Sequence, residues 1–243
     1  MRPVPKVTVA LPTPFTGEQS LVDFDGLSRL VCWLKEQHIE SLIPAGTTGE
    51  FAALGTAERR EVLVATREAL GPEGFCFANI SACAISDVLE HANQAMQSTA
   101  NPDALLCLPP FYHKEFTLRA GQPNGVELFF EELLRELPTS APPLFIYTFS
   151  LHTQQTVTPS VYGALCAKFG KRIAGIKAIR PPIGTQLPLN CKRNCKPNCT
   201  PIATQLHPNC TTIAPQSQSN YTPIAIQSHP NCTPIAPQVH PNY

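Results

Sequence analysis

Between residues 7 and 178 short apolar runs alternate with stretches of helical period, and beyond that point the alternation stops. Residues 7–11, 41–45, 75–80, 104–108, 144–147 and 173–178 read as strands. Between them the apolar positions recur at helical spacing. Leu27, Leu30, Val31 and Leu34 form one stripe, with Asp23 or Asp25 as its cap. A second helix starts at Thr56, carries Glu58 in its first turn and stops at Gly71. A third spans 87–97 with Val88, Leu89, Ala92, Ala95 and Met96 inward, and a fourth carries Val126, Phe129, Phe130, Leu133, Leu134 and Leu137. The fifth opens on Thr158-Pro159, a cap followed by proline at the first helical position, and ends at Gly170.

Strands alternating with helices are the mark of βαβ units and a parallel sheet. Strands that are apolar throughout suit a sheet covered on both faces. A doubly wound sheet and a (β/α)8 barrel both fit this pattern. A complete barrel needs two more βα units than the six strands supply.

The remainder of the chain is of another kind. Asn198, Asn209, Asn220, Asn231 and Asn242 recur at an 11-residue period. Such a period can signal a right-handed helical supercoil, but the prolines within the units exclude it. All 13 glycines and all 12 phenylalanines lie at or before Gly184, so the repeat has little to bury. The expectation is an incomplete barrel domain over 1–184 and a Pro/Cys/Asn-rich tail over 185–243, disordered or extended. The formal charge of zero sums these two parts and gives no argument for nucleic acid as a partner.

No apolar run is long enough to span a membrane, and residues 1–6 lack the apolar stretch of a secretory signal. A cytoplasmic, reducing setting is the expectation. Cys32, Cys76, Cys83, Cys107 and Cys166 lie in apolar segments and read as small buried hydrophobes. In the tail, Cys191, Cys195, Cys199 and His207 lack the turn chemistry of a zinc knuckle and are not read as a metal site. The Asn-x-Thr sequons there lack a secretory context.

Four places could carry chemistry. Lys177 ends an apolar strand, where a lysine either snorkels to water or, desolvated, becomes a carbonyl nucleophile. Gly46-Thr47-Thr48-Gly49-Glu50 lies between a strand and a helix. It is either a tight connection or a cradle whose hydroxyls and amides hold a carboxylate. Tyr147 ends the fifth strand and either fills the core or relays a proton. Tyr112, after Pro109-Pro110-Phe111, has the same status. In a parallel barrel these strand ends share one face.

Residues 7–178 resemble the pyruvate-dependent aldolase and lyase family that includes dihydrodipicolinate synthase and N-acetylneuraminate lyase. The resemblance rests on Leu11-Pro12-Thr13-Pro14-Phe15, Gly46-Thr47-Thr48-Gly49-Glu50-Phe51, Pro109-Pro110-Phe111-Tyr112, Tyr147 and Gly175-Ile176-Lys177. It implies a (β/α)8 barrel in which Lys177 forms an imine with a 2-oxo acid such as pyruvate. Tyr147 would shuttle protons and Thr47 would join the relay. Thr48, with Gly46 and Gly49, would hold the substrate carboxylate. Tyr112 would be lent across a subunit interface in a homotetramer. The resemblance implies neither metal nor other cofactor.

Two departures stand out. His152 occupies the place of an arginine that binds a second carboxylate in dihydrodipicolinate synthase. After Lys177 the chain reads Ala178-Ile179-Arg180-Pro181-Pro182, where the resemblance ends. An open barrel exposes strand edges, which is a liability. The alternative reading is therefore a catalytically inactive fragment, its frame changed or its gene mis-joined near 178–186, with a non-enzymatic tail.

Overall fold

A computed structural model describes residues 2–17, 21–112, 124–179 and 202–203. Every described residue lies within Met1–Gln205, one compact unit.

In chain order the elements are β1 (Val9–Ala10), β2 (Phe15–Thr16), β3 (Leu21–Val22), α1 (Phe24–Glu36), β4 (Ser41–Ile43), α2 (Thr56–Leu70), β5 (Phe75–Asn79) and α3 (Ile85–Gln97). There follow β6 (Ala104–Cys107), α4 (Gly125–Glu136), β7 (Leu144–Thr148), α5 (Ser150–Thr153), α6 (Pro159–Phe169), β8 (Ile173–Ala178) and β9 (Ile202–Ala203). The main sheet runs β1-β4-β5-β6-β7-β8-β9, with every pairing parallel. The six strands expected from the sequence form a curled half-barrel, with α1, α2, α3, α4 and α6 packed in succession around its outside. This is part of a (β/α)8 barrel, not a doubly wound sheet.

Local chemistry sets most of the boundaries. The Asp23 carboxylate accepts from the Gly26 amide at 2.8 Å and caps α1. The Gly55 amide donates to Glu58 at 2.7 Å, which secures the start of α2. Gly71, at φ 85°, ends that helix in a conformation that favours glycine. The Thr158 hydroxyl accepts from the Val161 amide ahead of Pro159, as its sequence position implies.

The half-barrel interior is filled by large side chains. Phe77 packs against Phe75 and Phe145 with ring centroids 5.0 and 5.1 Å apart. Outside the sheet, Leu27, Val31, Val62, Val88, Ala92, Phe130, Leu133 and Leu165 are fully or almost fully buried. Burying each large aliphatic or aromatic chain of this kind stabilises the fold by about 1.5–3 kcal/mol.

The amino-terminal ends of the strands carry a structural ion cluster. Asp103 pairs with Arg67 at 2.5 Å and with Arg2, and accepts the Cys76 amide at 2.9 Å. Burial pushes the Asp103 carboxyl up, but those donors outweigh it and hold it below its ordinary value.

Several expectations need correction. Of the five cysteines expected in the core, only Cys76 and Cys107 are buried; Cys32 and Cys83 are exposed and Cys166 is half-buried. Cys32 follows Val31, and one residue turns it off the inward stripe of α1. β1 is shorter than the apolar run 7–11, with Val7 57% exposed. The β2–β3 hairpin was not expected, because each strand has two residues and no alternation to read. Ile202 and Ala203 pair with Lys177 and Ala178 and add a seventh strand from within the repeat. The rest of the tail, including Cys191, Cys195, Cys199 and His207, lies outside the described residues.

Candidate active site

Three of the singled-out side chains converge at the carboxyl ends of the strands. Tyr147 on β7 and Lys177 on β8 are register partners. An irregularity between Leu144 and Phe145 advances β8 by one residue, so that Tyr147 meets Lys177 and not Ile176. In a ladder of period two, that one-residue step decides which side chains share a face.

The Lys177 ammonium nitrogen lies 3.5 Å from the centroid of the Tyr147 ring. The phenol oxygen is 3.3 Å from the Thr47 hydroxyl. Lys177 is 8% exposed and Tyr147 1%. Burial alone lowers the Lys177 amine from 10.5 to about 8. Burial also raises the Tyr147 phenol, against the smaller opposing effect of its hydrogen bond to Thr47. Phe149 stacks beside Tyr147 at 6.1 Å. An amine lowered to about 8 thus lies against a phenol that keeps its proton.

Thr47 sits in a turn built by close backbone approach. A Cβ on Gly49 would stand 2.7 Å from the Leu11 carbonyl oxygen and 3.0 Å from the Ala45 amide nitrogen, so only glycine fits. The Thr13 hydroxyl donates to the Gly49 carbonyl at 2.8 Å. Gly46 is buried over Ile43, whereas Thr48 is exposed on the turn. Tyr112 is 84% exposed, outside the buried Lys177–Tyr147 pair. His152 belongs to α5, and its side chain lies outside the described residues.

A second polar group beside the turn escaped the sequence reading. Asn79 donates to the Ala45 carbonyl at 2.6 Å and accepts from the Ser81 hydroxyl at 2.6 Å. Arg59 reaches the Asn79 and Ser81 carbonyls at 2.8 and 3.1 Å, and meets His91 at 3.0 Å. Burial lowers the Arg59 guanidinium to about 10. The available signals were a polar residue ending the apolar run Phe-Cys-Phe-Ala-Asn and a cation one turn before Val62 and Leu63 on the inward face of α2.

Among the described residues no group of three or more His, Cys, Asp or Glu side chains could hold a metal. No described helix is long and apolar enough to cross a membrane.

A buried lysine, a tyrosine and a threonine thus meet at the strand ends of a parallel half-barrel, part of a (β/α)8 fold. The chain belongs to the dihydrodipicolinate synthetase family, whose model matches residues 4–200. It is 32% identical over 169 residues to the 4-hydroxy-tetrahydrodipicolinate synthase of Teredinibacter turnerae, covering 70% of this chain and 53% of that one. It is 28% identical to an uncharacterised DapA-like lyase of Chloroflexus aurantiacus, covering 69% and 53%. Among solved structures it resembles YagE, a prophage protein of E. coli K12 solved with pyruvate, with TM-score 0.61 and 22% identity over 70% of this chain and 53% of that one. The dihydrodipicolinate synthase of Thermotoga maritima matches with TM-score 0.61 and 22% identity over 72% and 54%. The chain spans about half the length of the curated relatives it matches.

Proposed function

We propose that the protein is a Schiff-base-forming lyase or aldolase acting on pyruvate or a related 2-oxo acid, with Lys177 as nucleophile. The observation that carries this reading is the desolvated Lys177 amine lying against the Tyr147 ring while the Tyr147 hydroxyl meets Thr47. The neutral amine attacks the ketone carbon and forms a carbinolamine. Tyr147, recharged through Thr47, supplies the proton with which the carbinolamine oxygen leaves as water. The product is a protonated imine; the Tyr147 phenolate left by that transfer takes a methyl proton from it and gives the enamine, which adds to an aldehyde or, in the reverse direction, forms as an aldehyde leaves. Thr48, Gly46 and Gly49 are assigned to the substrate carboxylate, at the turn where strand-end ligands bind.

Tyr112 is assigned to a neighbouring subunit of a homo-oligomer, which its 84% exposure supports. The exposed thiols of Cys32 and Cys83 fit a reducing, cytoplasmic setting.

Exchange of pyruvate methyl protons in heavy water, followed by proton NMR, tests the reading without an aldehyde. Enamine formation and reversal should deuterate the methyl group at a rate proportional to protein. A folded protein that leaves pyruvate at the buffer rate favours the inactive-fragment reading.

A further inference from the structure

Ala45 immediately precedes the Gly46–Thr47–Thr48 turn and is buried at φ 44°, in the left-handed region that a residue with a Cβ seldom occupies. Its carbonyl is held by the Asn79 carboxamide at 2.6 Å. The other end of that carboxamide is fixed too: its oxygen accepts from the Ser81 hydroxyl at 2.6 Å and from the Ser81 amide at 3.3 Å. The Ser81 hydroxyl in turn accepts from the Leu108 amide at 2.9 Å. Ser81 is fully buried. Arg59 binds the Asn79 carbonyl and is itself backed by His91. One belt of hydrogen bonds therefore crosses the carboxyl ends of β4, β5 and β6, and ends on the strained Ala45, two residues before Thr47.

We propose that Asn79 is a positioning residue for the Thr47–Tyr147 relay: its carboxamide N–H pins the Ala45 carbonyl and so sets the height at which the Thr47 hydroxyl meets Tyr147. Asn79 touches neither the amine nor the phenol in this arrangement; it acts through the turn. Only a donor serves, because the group it faces is a carbonyl oxygen. The proposal rests on the Schiff-base reading above and adds a residue to it.

The decisive variant is Asn79→Asp, which keeps the shape but puts a carboxylate oxygen where the N–H stood. Asn79→Ala and Ser81→Ala accompany it, each checked by a thermal melt. Pyruvate methyl exchange is measured against pyruvate concentration. With Thr47 displaced, the exchange rate at saturation should fall about 10–100-fold in both Asn79 variants. The half-saturating pyruvate concentration should change less than the rate, because Gly49, at the far end of the turn from Ala45, is held separately by the Thr13 hydroxyl. Ser81→Ala, which loosens the carboxamide without removing it and also leaves the Leu108 amide without the hydroxyl, should slow exchange per folded molecule less than either. An Asn79→Asp protein at the wild-type rate overturns the proposal while leaving the Schiff-base reading intact. Loss of cooperative melting in all three variants also overturns it, by assigning the belt to folding. A wild-type protein that is folded and inert overturns the Schiff-base reading, and this proposal with it.

Discussion

Replacing Lys177 with methionine should make the protein more stable near neutral pH. Burial lowers the amine from 10.5 to about 8; at about 1.4 kcal/mol per tenfold change in acidity, the folded state carries about 3 kcal/mol against the ammonium. The contact between the nitrogen and the Tyr147 ring returns about 1 kcal/mol, which leaves about 2 kcal/mol. Below pH 8 the amine is protonated in folded and unfolded chains alike, and this cost is present in full. Between 8 and 10.5 the unfolded chain holds a proton that the folded chain has released, so wild-type stability rises with pH. Above 10.5 both states are neutral and the cost is gone. Lys177→Met, similar in length and uncharged, has no such dependence. Urea unfolding of both proteins at several values from about pH 7 to about pH 10 gives the difference directly. The variant's advantage should be about 2 kcal/mol at the acid end and should shrink steadily toward the alkaline end. A variant equal to or less stable than wild type at about pH 7, with no trend, would mean a solvated lysine and would refute the argument.

Tyr147→Phe keeps the ring under Lys177 but removes the hydroxyl that meets Thr47; pyruvate methyl exchange should fall by about 10²–10⁴-fold while the melt stays close to wild type. Asp103→Ala leaves Arg67 buried without its carboxylate and should cost about 3–5 kcal/mol in urea unfolding, with exchange per folded molecule unchanged. Because the Asp103 carboxyl is held below its ordinary value, the stability it contributes is present above the unfolded value and should disappear as pH falls through the folded one. Cys32 and Cys83 should react with a thiol reagent in the native protein. Cys76, pushed up to about 12 by burial, and Cys107, pushed up likewise, should react only on unfolding.

The parallel architecture was legible because each strand and each large helix carries its own period. The stripe of Val126, Phe129, Phe130, Leu133 and Leu134, for instance, is buried along one face of α4. Helix ends were legible where capping chemistry is local, as at Asp23, Glu58 and Thr158. They were less so at α3, which begins at Ile85 behind Ala84, a residue with no capping side chain, two positions before the expected start. Lys177, Tyr147 and Thr47 could be singled out as polar groups at strand ends. Their meeting depends on the one-residue advance in β8, a property of packing between strands that no single segment encodes. Gly49 announces its tight turn through its identity, whereas Ala45 adopts positive φ without the glycine that would mark it. For that reason the Asn79–Ser81 belt, which makes the conformation tenable, was invisible until the strands were side by side.

The central claim is that one lysine of this chain is a carbonyl nucleophile and that it is Lys177. The direct measurement is borohydride reduction in the presence of pyruvate, followed by peptide mass mapping, at about pH 6 and about pH 8. The account predicts a single reduced pyruvyl group, on the peptide that contains Lys177, formed faster at the higher pH as the amine loses its proton near 8. Label spread over exposed lysines such as Lys35 and Lys168, or no label on a protein that melts cooperatively, would contradict it.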